Sequence, residues 1–213
     1  MAIITDLHYL PSISYFFPWL DSPAVIIEAQ AHFVKQTSLS RCYIRAAQQV
    51  ERLTVPVNRS GTKQSVSIIP ISYRERWPDI HWRSIASAYG KAPYFAFYAD
   101  AFHGAIYRRH ETLFALNSEL LTICLQYLNL PSQFAISNTY QKAYPADFLD
   151  FRRLEHLPSG LPTGTPPYYQ LFGSEFVNNI SVIDLLFCEG PNAIVYLRQL
   201  QQYLNTGSIS HAL

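Results

Sequence analysis

Apolar positions come in short runs near the N-terminus and at helical spacing further on. Ile3, Ile4, Leu7 and Leu10 within residues 2–10 predict a buried strand that Pro11 stops, with His8 near its end. Ser12 or Ser14 is placed to cap a short helix over "ISYFF", and Pro18 limits its length. "AVIIEA", 24–29, predicts a second buried strand running into Glu28 and Gln30. A polar stretch, "HFVKQTSLSR", reads as loop. "CYIRAA" and "RLTVPV" alternate as a strand pair joined near Gln48 and Gln49, and "SVSIIPIS", 65–72, reads as a further strand.

After Tyr73 the spacing becomes helical. Pro78 suits a first turn, and Ile80, Ile85, Ala88 and Tyr89 form a face ending at Gly90. Phe95, Tyr98, Phe102 and Ile106 mark a second helix. Leu113, Leu116, Leu120, Ile123 and Tyr127 mark a longer one that ends before Pro131. Residues 131–174, rich in Pro, Gly and Tyr, read as irregular. Ser181 with Asp184 has the spacing of a capping box opening "VIDLLFCE", and Gly190-Pro191 separates that helix from a last one carrying Ile194, Leu197, Leu200 and Leu204. The expected class is α/β (or α+β): an N-terminal strand-rich sheet with a helical C-terminal half packed on it. A single domain over 1–213 follows from the length.

Composition narrows the function. Hydrophobic residues are 49% and charged residues 15% of the chain, the balance of a folded protein able to bury a core. A formal net charge of +1 gives no nucleic-acid footprint. Three cysteines, Cys42, Cys124 and Cys188, form no CxxC pair and suit a reducing compartment. The N-terminal stretch lacks the pattern of a signal peptide, and no apolar run approaches a membrane span. A cytoplasmic protein is expected. The 15 tyrosines suit half-wet pockets and sugar-facing surfaces.

If the opening strands pair in parallel, His8 and Glu28 stand at neighbouring carboxyl ends, where ligands of such sheets bind. His8 is the candidate general base with Glu28 as its orienting carboxylate; two unrelated buried polar groups are the alternative. Lys35 and Arg41, flanking the polar loop beyond Gln30, are candidate phosphate or carboxylate binders, against a solvated basic loop. Neither GxGxxG nor GxxxxGK[ST] occurs. Cys42 beside Arg41 is either a nucleophile paired with His81 or His8, or an apolar cysteine opening a strand. "RERWPDIHWRS" gathers Arg74, Arg76, Trp77, His81 and Trp82 as a sugar or phosphate platform, or as tryptophans closing a core with arginines in water. His32, His103, His110, His156 and His211 share no metal-type spacing.

"LPSISYFFPWL", "KQTSLSRCYIRAA", "LTVPV", "ISYRERWPDIHWRSIASAYGKAPYF" and "YYQLFGSEFVNNISVIDLLFCEGP", in that order, resemble the WbqC-like protein family from about His8 to Gly190. The family's opening Gln-Pro-x-x-x-Pro and Gly-Tyr-Phe correspond here to Pro11, Ser14, Tyr15 and Phe16. Its two acidic residues and Gln after the second strand become Glu28, Ala29 and Gln30, so one carboxylate of a metal pair is missing. Ser40 stands before Arg41 where the family has Asn-Arg. The resemblance implies a role in O-antigen and other surface-polysaccharide precursor biosynthesis: a group transferase moving an acyl or aminoacyl group to an activated amino sugar. The implied partners are small molecules, a sugar nucleotide or amino sugar and an acyl donor. Neither the residues nor the resemblance identifies a cofactor. His8, Glu28 and His81 are the candidate catalytic residues; Gln30, Lys35, Arg41 and Trp77 are the candidate ligand-binding residues. Two other readings stand beside this: a nucleotidyltransferase-like α/β enzyme, and a non-catalytic binding or assembly protein using the stretch 158–169 as a partner surface.

Overall fold

The computed structural model describes residues 1–22, 24–58, 63–152, 161–162 and 164–207. Its centre is a four-stranded sheet whose strands are all parallel to their neighbours. β1 (Ala2–Thr5) and β2 (Val25–Ile27) are built from the two apolar runs read in the sequence. They pair in the register Ile3 with Val25, Ile4 with Ile26 and Thr5 with Ile27. An antiparallel hairpin lies apart from this sheet: β3 (Arg41–Arg45) against β4 (Val50–Thr54), turning through Gln48 and Gln49 as expected. The first strand is shorter than predicted, because residues 6–10 leave the ladder to make a turn ending on Leu10 at φ 42°.

The two remaining strands of the sheet come from the stretch read as irregular. β5 (Ala135–Ile136) adds to β2, and β6 (Phe148–Asp150) adds to β1 on its other side. Across the sheet the order is β5-β2-β1-β6. Counted along the chain within that sheet, this is third, second, first, fourth, the opening order of a doubly wound fold. Ligands of such sheets bind outside the carboxyl ends, where the order reverses. Here that point lies between β1 and β6.

"SVSIIPIS" forms no strand. Ser65 caps a single 3₁₀ turn, Val66–Ile68, and isolated bridges tie Ser65 to His32, Ile71 to Val57 and Pro70 to Thr112. Pro70 has no N–H to give a ladder, so these residues cross between layers instead. The first helical segment is also divided. A 3₁₀ turn, Ile13–Phe16, leads into α1 (Phe17–Asp21), and Pro18 occupies the first turn of α1 rather than ending the segment.

Three helices follow: α2 (Trp77–Tyr89), α3 (Phe95–Tyr107) and α4 (Leu113–Tyr127). Their buried stripes match the predicted spacing, except that α2 turns Trp77, His81, Ile85, Ala88 and Tyr89 inward and leaves Ile80 half exposed. α5 (Val182–Glu189) is buried on all sides from Val182 to Cys188, Asp184 included, and sits inside the helical layer. Gly190 ends it at φ 54°, where a Cβ would lie 2.4 Å from the Tyr94 ring; only glycine fits both demands. α6 (Ala193–Gly207) completes the layer. The predicted capping box does not form: Ser181 Oγ donates to the Leu10 carbonyl, and Asp184 turns inward to other partners.

The parallel sheet, the antiparallel hairpin and the helical C-terminal half make this an α/β protein. Among the described residues no helix is long and apolar enough to cross a membrane, and no group of His, Cys, Asp or Glu is arranged to hold a metal ion. His156, His211 and residues 158–160 and 163 of the proposed partner surface lie outside the described residues.

Candidate functional site

The residues that follow three of the parallel strands meet at one end of the sheet. β2 delivers Glu28, β5 delivers Ser137, and β6 ends in Asp150 with Arg152 two positions on. Backbone bonds continue each pairing one residue past the strand: Glu28 N–H to the Thr5 carbonyl, Ser137 N–H to the Ile27 carbonyl, and Phe151 N–H to the Ile4 carbonyl. Side-chain positions at this end are therefore fixed by the ladder itself.

Glu28 is 1% exposed. Its Oε1 accepts from the Gln30 amide at 2.7 Å and from the Ser137 hydroxyl at 2.7 Å, and its Oε2 lies 3.3 Å from Arg152 Nη1. Ser137 Oγ also accepts from the Ala29 amide at 3.0 Å, so one hydroxyl pins two neighbouring strand ends. Arg152 is held in turn by Asp150 through a fork: Nε to Oδ1 at 2.9 Å and Nη2 to Oδ2 at 2.6 Å. Its remaining donors reach the carbonyls of Gln141 at 2.7 Å and Lys142 at 3.4 Å. The rings of Tyr144 and Tyr140 flank the guanidinium at 4.8 and 5.5 Å. Its hydrogen bonds to Asp150 push its pKa above the ordinary arginine value. Burial, and then the charge of Glu28, raise that of the Tyr144 hydroxyl.

One guanidinium here faces two carboxylates. Arg152 is therefore neutralised and saturated by the protein's own acceptors and does not offer a free fork to an incoming phosphate. Glu28 likewise has both oxygens engaged. It holds Ser137 and Arg152 in place rather than standing open as a proton acceptor.

The other predicted residues fall into three groups. His8 is buried beside the carboxyl end of β1, with its ring 4.8 Å from that of Tyr15. The turn that carries it is stitched to the polar loop. Tyr9 N–H donates to the Ser38 carbonyl, and the buried Asn117 amide donates to the carbonyls of Leu7 and Leu39. This brings the segment containing His8 alongside the segment leading to Arg41. Arg41 Nη1 reaches the Gln36 carbonyl at 3.4 Å, and Lys35 is exposed. Gln30 joins the Glu28 cluster through its backbone amide and through Nε2 to the Ser137 carbonyl at 3.4 Å.

His81 and Trp77 sit together in the helical core. The Tyr9 hydroxyl meets His81 Nδ1 at 2.8 Å, and the Trp77 ring packs against the imidazole edge at 5.0 Å. Burial lowers the His81 pKa to about 4, against a hydrogen bond to the Thr54 backbone that pulls it up. A neutral imidazole with both nitrogens engaged is a packing element at neutral pH. Trp82 is half-buried against the core, between Phe95 and His103. Cys42 is buried in the core, and burial pushes its thiol pKa well up, the reverse of an activated nucleophile.

Sequence reasoning missed Ser137, Asp150, Arg152 and Tyr144. Asp150 ends β6, Ser137 and Arg152 follow β5 and β6, and Tyr144 lies in the connection between them; strands of two or three residues have no detectable periodicity.

No solved structure matches this chain. "Uncharacterized protein Rv1507c" of Mycobacterium tuberculosis is 26% identical over 228 aligned positions, which cover 93% of this chain and 98% of that protein. The profile of the WbqC-like protein family matches residues 7–155. The matched span takes in the turn with His8, the Glu28 strand end, the polar loop and the Ser137–Arg152 segment, and it stops short of the "YYQLFGSEFVNNISVIDLLFCEGP" segment. Over that span, more than half of its length, the chain belongs to the WbqC-like protein family.

Proposed function

We propose that this protein is a cytoplasmic group transferase of surface-polysaccharide precursor assembly, moving an acyl or aminoacyl group onto an activated amino sugar. The observation that carries the reading is the convergence of Glu28, Ser137, Asp150, Arg152 and Tyr144 at the carboxyl end of a parallel sheet. The strand order reverses at that end. Family membership, with the resemblance described above, supplies the metabolic context.

In this reading His8 is the general base, the imidazole that stands beside the carboxyl end of β1. It takes the proton from the sugar amine as the amine nitrogen bonds to the donor's carbonyl carbon. The carbon–sulfur bond of a thioester donor breaks, and the proton passes to the departing thiolate. Glu28 and Ser137 are positioning residues, and Lys35 and Arg41 are the candidates for the phosphates of either substrate.

Thermal shifts against UDP-glucosamine, whose amine is free, acetyl-CoA, ATP and CTP test the ligand class. Stabilisation by the nucleotide sugar or the acyl donor, with turnover lost in His8→Ala and binding retained, supports the reading. Stabilisation by free triphosphates alone favours a nucleotidyltransferase-like enzyme, a reading that the third-second-first-fourth strand order also suits. A second reading, a binding protein without catalysis, draws support from the saturation of Glu28 and Arg152 by the protein's own groups. Ligand binding unaffected by His8→Ala, with no turnover in either protein, selects it.

A further inference from the structure

Residues 138–147 leave the carboxyl end of β5, at one edge of the sheet, and must reach the start of β6 at the opposite edge. No helix or strand lies within them, and all are exposed except the half-buried Tyr144. A direct path down the sheet would leave the carboxyl end at once. The chain instead stays there for several residues, because Arg152 accepts it: Nη1 donates to the Gln141 carbonyl at 2.7 Å, Nη2 donates to the Lys142 carbonyl at 3.4 Å, and the rings of Tyr140 and Tyr144 close over the guanidinium.

We propose that residues 138–147 are a lid over the carboxyl end of the sheet, and that Arg152 is the latch holding it closed. Calling it a lid rests on the ligand site proposed above; the latch itself does not. The strap contributes two backbone carbonyls and two aromatic faces, whereas Asp150 and Glu28 contribute charged oxygens. Hydrogen bonds to neutral carbonyls are the weaker set. When the assembly opens, the guanidinium therefore stays at the sheet's carboxyl end with Asp150 and Glu28, and the strap lifts away. Glu28 and Ser137 keep their places through the opening, since ladder-extending backbone bonds fix both. Arg152 is thus a positioning residue, and the strap is the moving part.

Lys142 lies at the exposed crest of the strap and gives a direct readout. Trypsin cleavage after Lys142 in the native protein tracks the open population when opening is fast. Arg152→Met should raise that cleavage rate roughly tenfold. Cleavage after Lys91, in the α2–α3 turn, should stay unchanged and so report an intact fold. Asp150→Asn, which keeps the guanidinium and loosens its fork, should give a smaller rise at Lys142 alone. If Arg152→Met raises cleavage everywhere, the Asp150→Asn result decides. A selective rise supports the latch, and none overturns it. An unchanged Lys142 rate in both variants also overturns it.

The covering role is read from the association rate of UDP-glucosamine. A lid predicts faster entry in whichever variant shows the selective cleavage, and an equal rate overturns the lid. Failure of both wild type and variant to bind counts against the ligand site and leaves the cleavage result standing.

Discussion

Among the described residues two carboxylates are buried, Glu28 and Asp184, and they are held in different ways. Glu28, at the carboxyl end of the sheet, meets a guanidinium, a hydroxyl and a backbone amide. Asp184, in the first turn of α5, is 0% exposed and meets the Tyr168 hydroxyl and the Gln170 amide. Burial raises the Asp184 pKa above the ordinary carboxylate value, and those hydrogen bonds only partly offset it. The Tyr168 hydroxyl is raised in turn, by burial first and then by the Asp184 charge. A shell of hydroxyl and amide donors, to which the Arg45 charge adds only a small pull, suits a carboxylate buried away from solvent. A charged shell suits a site beside solvent, where one partner can be exposed without stranding the other. The Asp184 cluster ties residues 168–177 to α5; the Glu28 cluster lies under a strap exposed along nearly its whole length.

The sharpest way to break this comparison is to remove the cation. Arg152→Met leaves Glu28 buried without its partner and should cost about 3–5 kcal/mol in urea unfolding. A loss under about 1 kcal/mol would mean that water already screens Glu28.

His81 extends the comparison to a buried base. Its pKa is about 4 when folded and near 6.5 when unfolded, so between these values the unfolded chain binds the extra proton. Stability from this group is present above pH ~6.5 and falls by up to about 3 kcal/mol as pH drops towards ~4. His81→Gln should remove that part of the acid sensitivity. Urea midpoints of wild type and variant at pH 7 and pH 4.5 measure it, and parallel losses in both proteins would place His81 in water.

Tyr168→Phe takes one donor from Asp184 and should destabilise by about 1–2 kcal/mol, less than the loss of a charge partner. Equal losses in Tyr168→Phe and Arg152→Met would erase the distinction between the two clusters. At the small end, Arg76→Ala removes an ion pair with Asp79 in which the arginine is 87% exposed. The urea midpoint should not move.

The legible part of the fold was the part written in long or strongly patterned segments. β1 and β2 were visible because their β-branched and apolar residues are buried in the sheet. α2, α3 and α4 were visible because three turns or more give the period room to repeat. β5 and β6 were not. "AI" and "FLD" have no period, most of their positions are exposed, and only pairing with β2 and β1 makes them strands. The site divided along the same line. Glu28 and Gln30 were found because they follow a visible strand. Ser137 and Arg152 were hidden because their proximity to Glu28 depends on the strand order. His81 was the instructive case: it sits four residues after Trp77 and four before Ile85, on the inward stripe of α2, whereas the sequence reading runs that face through Ile80 and makes His81 a catalytic candidate.

Residues 179–182 pass through the N-terminal part of the molecule. Asn179 Oδ1 accepts from the Ser14 amide, the Ile180 carbonyl accepts from Ile13, and the Ser181 and Val182 amides donate to the carbonyls of Tyr43 and Pro11. The turn that carries His8 is thus fastened by chain made more than 160 residues later. During synthesis this corner stays unfinished until the segment preceding α5 has left the ribosome, and a fragment truncated after residue 155 lacks its fastener. The span that defines the family by sequence is therefore shorter than the span that must fold together.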